Sequence, residues 1–151
     1  MDISTLAWLI FVIAPASTIV HELGHAAGAM AVRADSIRII IGTGKRKWVI
    51  GTGKFRILLF PVFFLGGHTF SDRYIPYNRK ENFLITLSGP LSSAMASGFL
   101  LASFAQFGCS LLLLAFFYNA WIAIGNLLPY KVKGRQSDGY ALIRLLRRRE
   151  Q

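Results

Sequence analysis

The hydrophobic residues of this 151-residue chain are concentrated in long stretches that contain almost no charge. Between residues 3 and 32 the only charged residue is Glu22, and residues 82–130 contain no Asp, Glu, Lys or Arg. One membrane-spanning helix needs about 20 apolar residues, so the first stretch predicts one span and the second predicts two spans joined by a tight turn. The predicted transmembrane helices cover about 5–32, 83–105 and 110–128, with the turn at about 106–110.

The segment between the first two spans, residues 33–80, has short β-branched runs that are broken by glycine. The sequence Ile-Gly-Thr-Gly-Lys occurs at 41–45 and again at 50–54. Such runs are typical of short strands and turns, and the glycine spacing does not fit a phosphate-binding loop. We expect a small antiparallel sheet at the cytoplasmic surface of the membrane. The apolar residues 57–67 that follow are too few to span a bilayer and fit a re-entrant or interfacial segment.

A sheet edge in this segment could offer its free N–H and C=O groups to an extended peptide, the binding mode called β-augmentation. A hairpin that only packs on the helices explains the same pattern, and the sequence leaves both interpretations open.

The tail, residues 130–151, begins after Pro129, because proline ends the third helix. Residues 140–149 combine leucine and isoleucine with arginine, as in an amphipathic surface helix. The predicted fold class is therefore a membrane all-α core in a single domain, residues 1–151. It has three transmembrane helices, a small β-sheet or re-entrant segment between helices 1 and 2, and a C-terminal amphipathic helix.

Composition and charge support a membrane protein. Hydrophobic residues make up 54% of the chain and the mean hydropathy is +0.48, above the range of soluble domains. The net charge of +10 could suggest nucleic acid, but all 17 Lys and Arg lie in residues 33–80 and 131–149, which three spans place on one side of the membrane. By the positive-inside rule that side is the cytoplasm, so the N-terminus is outside. Topology and anionic lipid explain the basic residues, and no nucleic-acid partner is expected.

Three ionisable residues, His21, Glu22 and His25, lie inside the first predicted span in the order H-E-x-x-H. Ionisable residues at membrane depth are costly and mark functional sites. On a helix, positions i and i+4 share one face, so both histidines can bind one metal ion, and Glu22 can act as general base on water. A purely structural helix would rarely bury all three in an apolar span. The motif therefore predicts a zinc hydrolase site within the bilayer.

A catalytic zinc ion normally has three protein ligands, so one more is expected. The extended H-E-x-x-H-x-x-G-x-x-H form is absent, because residue 31 is alanine. Asp138 follows the end of the third span, and a backbone turn could bring it to the metal. His68, which follows two glycines, is the main alternative. The single cysteine, Cys109, excludes a cysteine-rich metal site and an internal disulfide. The remaining carboxylates are less well placed, at the surface or in the tail: Asp35, Asp72, Glu81 and Glu150.

These motifs resemble those of the site-2 protease family of intramembrane zinc metalloproteases. That family has a core of three transmembrane helices, with H-E-x-x-H on the first helix and N-x-x-P…D-G at the third. This chain has His21-Glu22-Leu23-Gly24-His25 and Asn126-Leu127-Leu128-Pro129…Asp138-Gly139. It also has Ser88-Gly89-Pro90-Leu91, similar to the family's G-P-L sequence, and Pro61…Gly66-Gly67, which resembles P-x-x-G-G with two extra residues.

The resemblance implies that His21, His25 and Asp138 bind one Zn²⁺ ion and that Glu22 is the general base and acid. It also implies a group of residues near the substrate: Asn126, Pro129, Gly66, Gly67 and His68. The chain departs from the family at two places. Eight residues, 130–137, separate the proline from the aspartate where the family often has about two to four, and Ser93 stands where the family has asparagine.

The predicted function is that of a compact intramembrane zinc endopeptidase of a bacterial cytoplasmic membrane. Its expected partners are a membrane-spanning or membrane-associated protein or peptide substrate, the lipid bilayer and a regulatory membrane protein. We expect no PDZ or nucleotide-sensing domain, so substrate choice must come from the core or from a partner. An inactive zinc-binding scaffold is the alternative, which the intact Glu22 argues against. A zinc transporter would need ligands along a path through several helices rather than one closed cluster.

Overall fold

The computed structural model describes residues 2–132 and 134–147. As predicted, it has three helices long and apolar enough to cross a membrane: α1 (Ile3–Ala31), α2 (Arg79–Phe107) and α3 (Ser110–Leu127). One turn of α1, Leu9–Ile13, is π-helical. The second helix begins earlier than predicted, because Asn78 and Glu81 form a capping box at its N-terminus. The α2–α3 turn contains only two residues, Gly108 and Cys109.

Four strands between α1 and α2 form one sheet in the order β2-β3-β1-β4. They are β1 (Ser36–Thr43), β2 (Trp48–Ile50), β3 (Phe55–Leu59) and β4 (Val62–Asp72). The prediction of a sheet is confirmed, but a purely antiparallel sheet is wrong, because β1 pairs parallel with β3 and antiparallel with β4. The apolar strand β3 takes the central place beside β1, where Ile57 packs against the core, and β2 stays exposed at the edge.

The fold class is mixed helix and sheet rather than all-α, with helices covering 59% of the described residues. The apolar stretch 57–67 is not a loop but the end of β3, a turn and the beginning of β4. Within it, Phe64 packs edge-to-face on Phe11 of α1, with ring centroids 5.7 Å apart. Because Phe11 lies in the N-terminal third of α1, this stretch runs far along that helix.

The sheet packs on α1 through one face of its central strand. Ile37, Ile39 and Ile41 alternate along β1, so they point to the same side, where they are buried against Ala26 and Ala29 of α1. Small alanines let the strand approach the helix closely. This contact fixes the sheet beside the half of α1 that carries the H-E-x-x-H motif.

Gly24 and Gly28 of α1, spaced as G-x-x-x-G, lie at the contact with α2. A Cβ atom at Gly24 or Gly28 would collide with serine side chains of α2, at Ser92 and Ser88 respectively. Glycine at both positions therefore lets α1 and α2 pack with their backbones close together. The Ser92 hydroxyl also donates a hydrogen bond to the Val20 carbonyl oxygen at 2.9 Å, which joins the two helices at the residue immediately before the motif.

Two short strands follow α3 and form a hairpin, β5 (Lys131–Val132) with β6 (Arg135–Gln136), and the helix α4 (Asp138–Arg147) comes next. The predicted amphipathic helix is confirmed to residue 147, whereas 148–149 and the candidate ligand Glu150 lie outside the described residues. A Cβ atom on Gly139 would collide with the carbonyl group of Leu127, so glycine lets the first turn of α4 sit directly against the end of α3.

Candidate metal centre

The structure brings together one ligand atom each from His21, His25 and Asp138. The two histidine Nε2 atoms are 3.2 Å apart. Oδ2 of Asp138 lies 3.2 Å from Nε2 of His21 and 3.4 Å from Nε2 of His25. Among residues 2–132 and 134–147, this is the one group of at least three His, Cys, Asp or Glu residues placed to hold a metal ion together.

The three separations fit a tetrahedral zinc ion. With zinc–ligand bonds of about 2.0–2.1 Å, neighbouring ligand atoms of a tetrahedron lie about 3.3–3.4 Å apart. Oδ2 of Asp138 is buried and has no hydrogen-bond partner in the described part of the chain. A buried carboxylate oxygen without a partner is destabilising, and a cation between the three atoms would satisfy it. The donor set of two imidazoles and one carboxylate is one that catalytic zinc sites use.

The outer nitrogens of both imidazoles are held by α2. Nδ1 of His25 donates to the Ile85 carbonyl oxygen at 2.8 Å, and Nδ1 of His21 lies 3.1 Å from the hydroxyl oxygen of Ser93. A carbonyl group can only accept, so the proton of His25 is on Nδ1 and its Nε2 lone pair points into the centre. Gly89 makes room for this ring, because a Cβ atom there would collide with His25. Both histidines are therefore oriented for metal binding.

Burial and the neighbouring imidazoles have opposite effects on the pKa of the Asp138 carboxyl group. Burial raises the pKa of the Asp138 carboxyl group, but the imidazoles of His21 and His25 beside it lower the pKa by more. The net pKa is below its ordinary value, so Asp138 is a carboxylate at neutral pH, as a metal ligand must be.

The buried serine on α2 is a site residue that the sequence reasoning did not assign. Ser93 is fully buried, and its hydroxyl group contacts His21 across the helix interface. Its sequence signal is that Ser93 stands where the site-2 protease pattern has asparagine, another residue that can hydrogen-bond an imidazole. Sequence alone does not show which way a small residue of a packed helix points.

Replacing this serine tests its role. We expect Ser93→Ala to weaken zinc binding by about 10–100-fold, because losing an outer hydrogen-bond partner of a metal-binding histidine has effects of that size. Competition with a chelator of known affinity measures the change. The control is Ser97→Ala, one turn further along α2, where a buried hydroxyl donates to the Phe116 carbonyl oxygen instead. Equal zinc affinities for the two variants would contradict the role of Ser93.

Glu22 lies beside the histidines and is buried, with 6% of the residue exposed. Its Oε2 atom accepts a hydrogen bond from the Thr69 hydroxyl group at 2.6 Å. Thr69 is on β4, which packs against this half of α1. A Cβ atom at Gly67 would collide with the Glu22 side chain, so the glycine makes room for that carboxylate. The strand therefore orients Glu22 while the helix presents it next to the ligand atoms.

A cavity of about 1080 Å³ opens beside the cluster and is lined by α1, β1, β4, α2, α3 and the segment that follows them. Four residues that the resemblance placed near the substrate line it: Gly66, Gly67, His68 and Asn126. Pro129 does not line the cavity and is exposed just beyond α3.

The alternative metal ligands have other neighbours. His68 is exposed, its ring packs edge-on against Phe70 with centroids 4.5 Å apart, and it is outside the ligand cluster. The three less well placed carboxylates that the structure describes each have another partner: Asp35 with the Tyr74 N–H, Asp72 with Arg38, and Glu81 with Arg73. The geometry therefore favours Asp138 as the third ligand.

The eight residues between Pro129 and Asp138 do not move Asp138 away from the cluster, because they include the β5–β6 hairpin, whose two strands pair with each other. Ser137 closes the hairpin: its N–H donates to the Tyr130 carbonyl oxygen at 3.0 Å, and its hydroxyl donates to the Leu128 carbonyl oxygen at 2.6 Å. The same hydroxyl oxygen accepts the N–H of Tyr130 and an N–H in the first turn of α4. Ser137 therefore caps α4 and ties Asp138 to the end of α3.

A second positioning prediction concerns this cap. Ser137→Ala removes the hydroxyl that joins the end of α3 to the start of α4, so Asp138 loses its fixed position. We expect zinc affinity to fall by about tenfold, the lower end of the range seen when a residue that orients a metal ligand is lost. The helix content, measured by circular dichroism, should not change. Gln136→Ala, which changes the neighbouring exposed residue, is the control and should keep the affinity of the unmodified protein. A loss of the same size in both variants would contradict the prediction.

Comparison with known proteins identifies no relative: no family model and no curated protein matches this chain. Membership of the site-2 protease family, which the motifs suggest, therefore stays a prediction.

Proposed function

We propose that this protein is an intramembrane zinc endopeptidase that cleaves a peptide bond in or near a transmembrane segment. The observation that carries the proposal is the cluster of His21, His25 and Asp138, whose ligand atoms have the separations of a zinc tetrahedron, with the carboxylate of Glu22 beside it. Bound zinc would polarise a peptide carbonyl and make a water molecule more acidic.

Glu22 is suited to move the proton in this reaction. Thr69 donates to one oxygen of its carboxylate, which fixes the group and leaves the other oxygen to accept a proton. After accepting a proton from the attacking water, Glu22 would return it to the amine that leaves when the peptide bond breaks. Both transfers need only one carboxylate, because it acts first as base and then as acid.

We propose that the peptide binds along the sheet, and the alternation of backbone groups along β1 supports this. The N–H of Ile37 donates to the Lys54 carbonyl oxygen, and the Ile41 carbonyl oxygen accepts the N–H of Phe60. Odd-numbered residues of β1 therefore direct their backbone groups to the β3 side. Since N–H and C=O directions alternate along a strand, the even-numbered residues pair with β4.

The same alternation leaves one edge of β4 open. His68 lies opposite Ile40, so even-numbered residues of β4 pair with β1, and the N–H and C=O groups of Gly67 and Thr69 point outward. In the described ranges no strand pairs with this edge. An extended peptide that added to it by β-augmentation would lie beside Glu22 and the metal ligands. A helical substrate would have to unwind there, which exposes the peptide bond to attack.

The proposed location is a bacterial cytoplasmic membrane, with the N-terminus outside and the C-terminus in the cytoplasm. Its support is the three apolar helices together with the basic residues, all of which lie in segments 33–80 and 131–149. The proposed partners are a membrane-spanning or membrane-associated protein or peptide substrate, the surrounding lipid and a regulatory membrane protein.

Cleavage of defined peptides tests this function. The purified protein in detergent is incubated with a panel of single-span peptides, and products are identified by mass spectrometry. We expect one zinc ion per chain and cleavage that stops when a chelator removes the metal and returns when zinc is restored. Zinc bound at full occupancy without cleavage of any peptide would contradict the proposal and favour a zinc-binding scaffold.

A further inference from the structure

The β5–β6 hairpin forms one wall of the cavity, and neither of its strands contributes a ligand to the metal cluster. Gly134, Arg135 and Gln136 line the cavity that also contains Gly67 and Thr69 of β4. Ser137 closes the hairpin at its base, and Asp138 contacts His21 and His25 rather than the two hairpin strands. A segment that lines the cavity without supporting the metal ligands is available to contact a substrate.

Arg135 brings a positive charge to that cavity. It is the one lysine or arginine among the described residues that line the cavity. No carboxylate in the described part of the chain lies within ion-pair distance of Arg135. Of the two carboxylates that line the same cavity, Asp138 belongs to the metal cluster and Glu22 accepts a hydrogen bond from Thr69. A guanidinium group binds a carboxylate with paired, charge-assisted hydrogen bonds, which makes a carboxylate its natural ligand.

The hairpin also has backbone groups that can hold a peptide. Tyr130 and Ser137 are a hydrogen-bonded pair at its base, and pairs in an antiparallel ladder alternate between bonded and non-bonded. Lys131 and Gln136, the next pair, therefore direct their N–H and C=O groups outward. A peptide strand that lies on the open edge of β4 can meet Gln136 across the cavity, with its side chains close to Arg135.

From these contacts we infer that Arg135 selects substrates with an acidic side chain close to the scissile bond, on its cytoplasmic side. This inference rests on the proposed peptidase function and names the class of substrate. The cytoplasmic side follows because the hairpin and the arginines of α4 belong to the basic segments of the chain. The residue determines specificity and does not take part in the chemical step.

The test uses peptide binding, which does not depend on cleavage. The Glu22→Gln protein, loaded with zinc, is titrated in detergent with single-span peptides that carry glutamate, glutamine or lysine at one scanned position, all with amidated C-termini. We expect the glutamate peptide to bind about tenfold more tightly than the lysine peptide at one position, at low ionic strength. Adding Arg135→Glu should reverse that order, and the glutamine peptide should bind with intermediate affinity to both proteins.

Arg144→Glu is the matched control, because it makes the same substitution at an exposed arginine of α4 that lies outside the cavity lining. It should keep the preference for glutamate, and zinc content shows that both variants retain the metal site. Equal affinities for the three peptides, the same order in the Arg135→Glu protein, or no binding of the glutamate peptide would each overturn the inference.

Cleavage by the protein with Glu22 intact is measured on the same peptides and separates the two proposals. Cleavage without a charge preference rejects only the role of Arg135. The other outcome is a binding preference for acidic peptides that Arg135→Glu reverses, with no cleavage by the protein that keeps Glu22. That outcome supports the role of Arg135 as a binding residue and rejects the peptidase function.

Discussion

Glu22→Gln is expected to abolish peptide cleavage while zinc remains bound. Glutamine has nearly the same shape as glutamate and can still accept the Thr69 hydrogen bond, but it cannot take a proton from water. General acid–base catalysis contributes about 10²–10⁴-fold to rates, so we expect a loss of at least about 10³-fold in kcat when both proton transfers depend on one group. Zinc content by mass spectrometry and product formation are measured on the same sample.

Thr69→Val is the companion variant, because it removes the hydrogen bond to Glu22 and keeps the carboxylate. Its loss of activity should be much smaller than that of Glu22→Gln. Cleavage by Glu22→Gln within about tenfold of the unmodified protein would show that another group accepts the proton, since a general base contributes at least about 10²-fold.

The second large effect is expected for Asp138→Asn, which should lose both zinc and cleavage. A neutral amide in place of a carboxylate removes the one anionic ligand of the cluster. Loss of a residue that hydrogen-bonds a metal ligand lowers metal affinity by about 10–100-fold, and we expect loss of the ligand itself to lower zinc affinity by more. Chelator competition measures affinity, and the same preparation is assayed for cleavage.

Two controls show whether this effect is specific. Asp72→Asn changes a carboxylate that pairs with Arg38 at the sheet surface, and it should leave zinc affinity unchanged. His68→Ala removes the alternative ligand and should also keep the metal. Retention of zinc by Asp138→Asn together with its loss from His68→Ala would make His68 the third ligand.

The three long apolar helices and half of the candidate site could be predicted from sequence because their signals are local. An apolar run of spanning length specifies a helix wherever it packs, and the spacing of His21 and His25 places both on one helix face. The boundaries were less accurate, because the capping box at Asn78 extends α2 by a turn beyond the apolar run. In the same way, the π-helical turn within α1 has no signal in the hydrophobic pattern.

The other features of the fold and of the candidate site depend on contacts between residues that are distant in the sequence. Asp138 reaches the cluster because Ser137 closes the hairpin that precedes it. The number of residues between Pro129 and Asp138 would by itself suggest that these two residues lie further apart than they do. The parallel pairing of β1 with β3 joins strands that are not neighbours along the chain, and the order of strands in the sequence does not show it. The contact of Ser93 with His21 requires knowing how α1 and α2 face each other.

X-ray absorption at the zinc K-edge of the purified, unmodified protein tests the central claim most directly, because it counts the ligands of the bound metal. The structure predicts one zinc ion per chain, bound by two imidazole nitrogens and a carboxylate oxygen, with room for one further light-atom ligand. Absence of zinc, or a spectrum with three imidazoles or with none, would contradict a centre built from His21, His25 and Asp138.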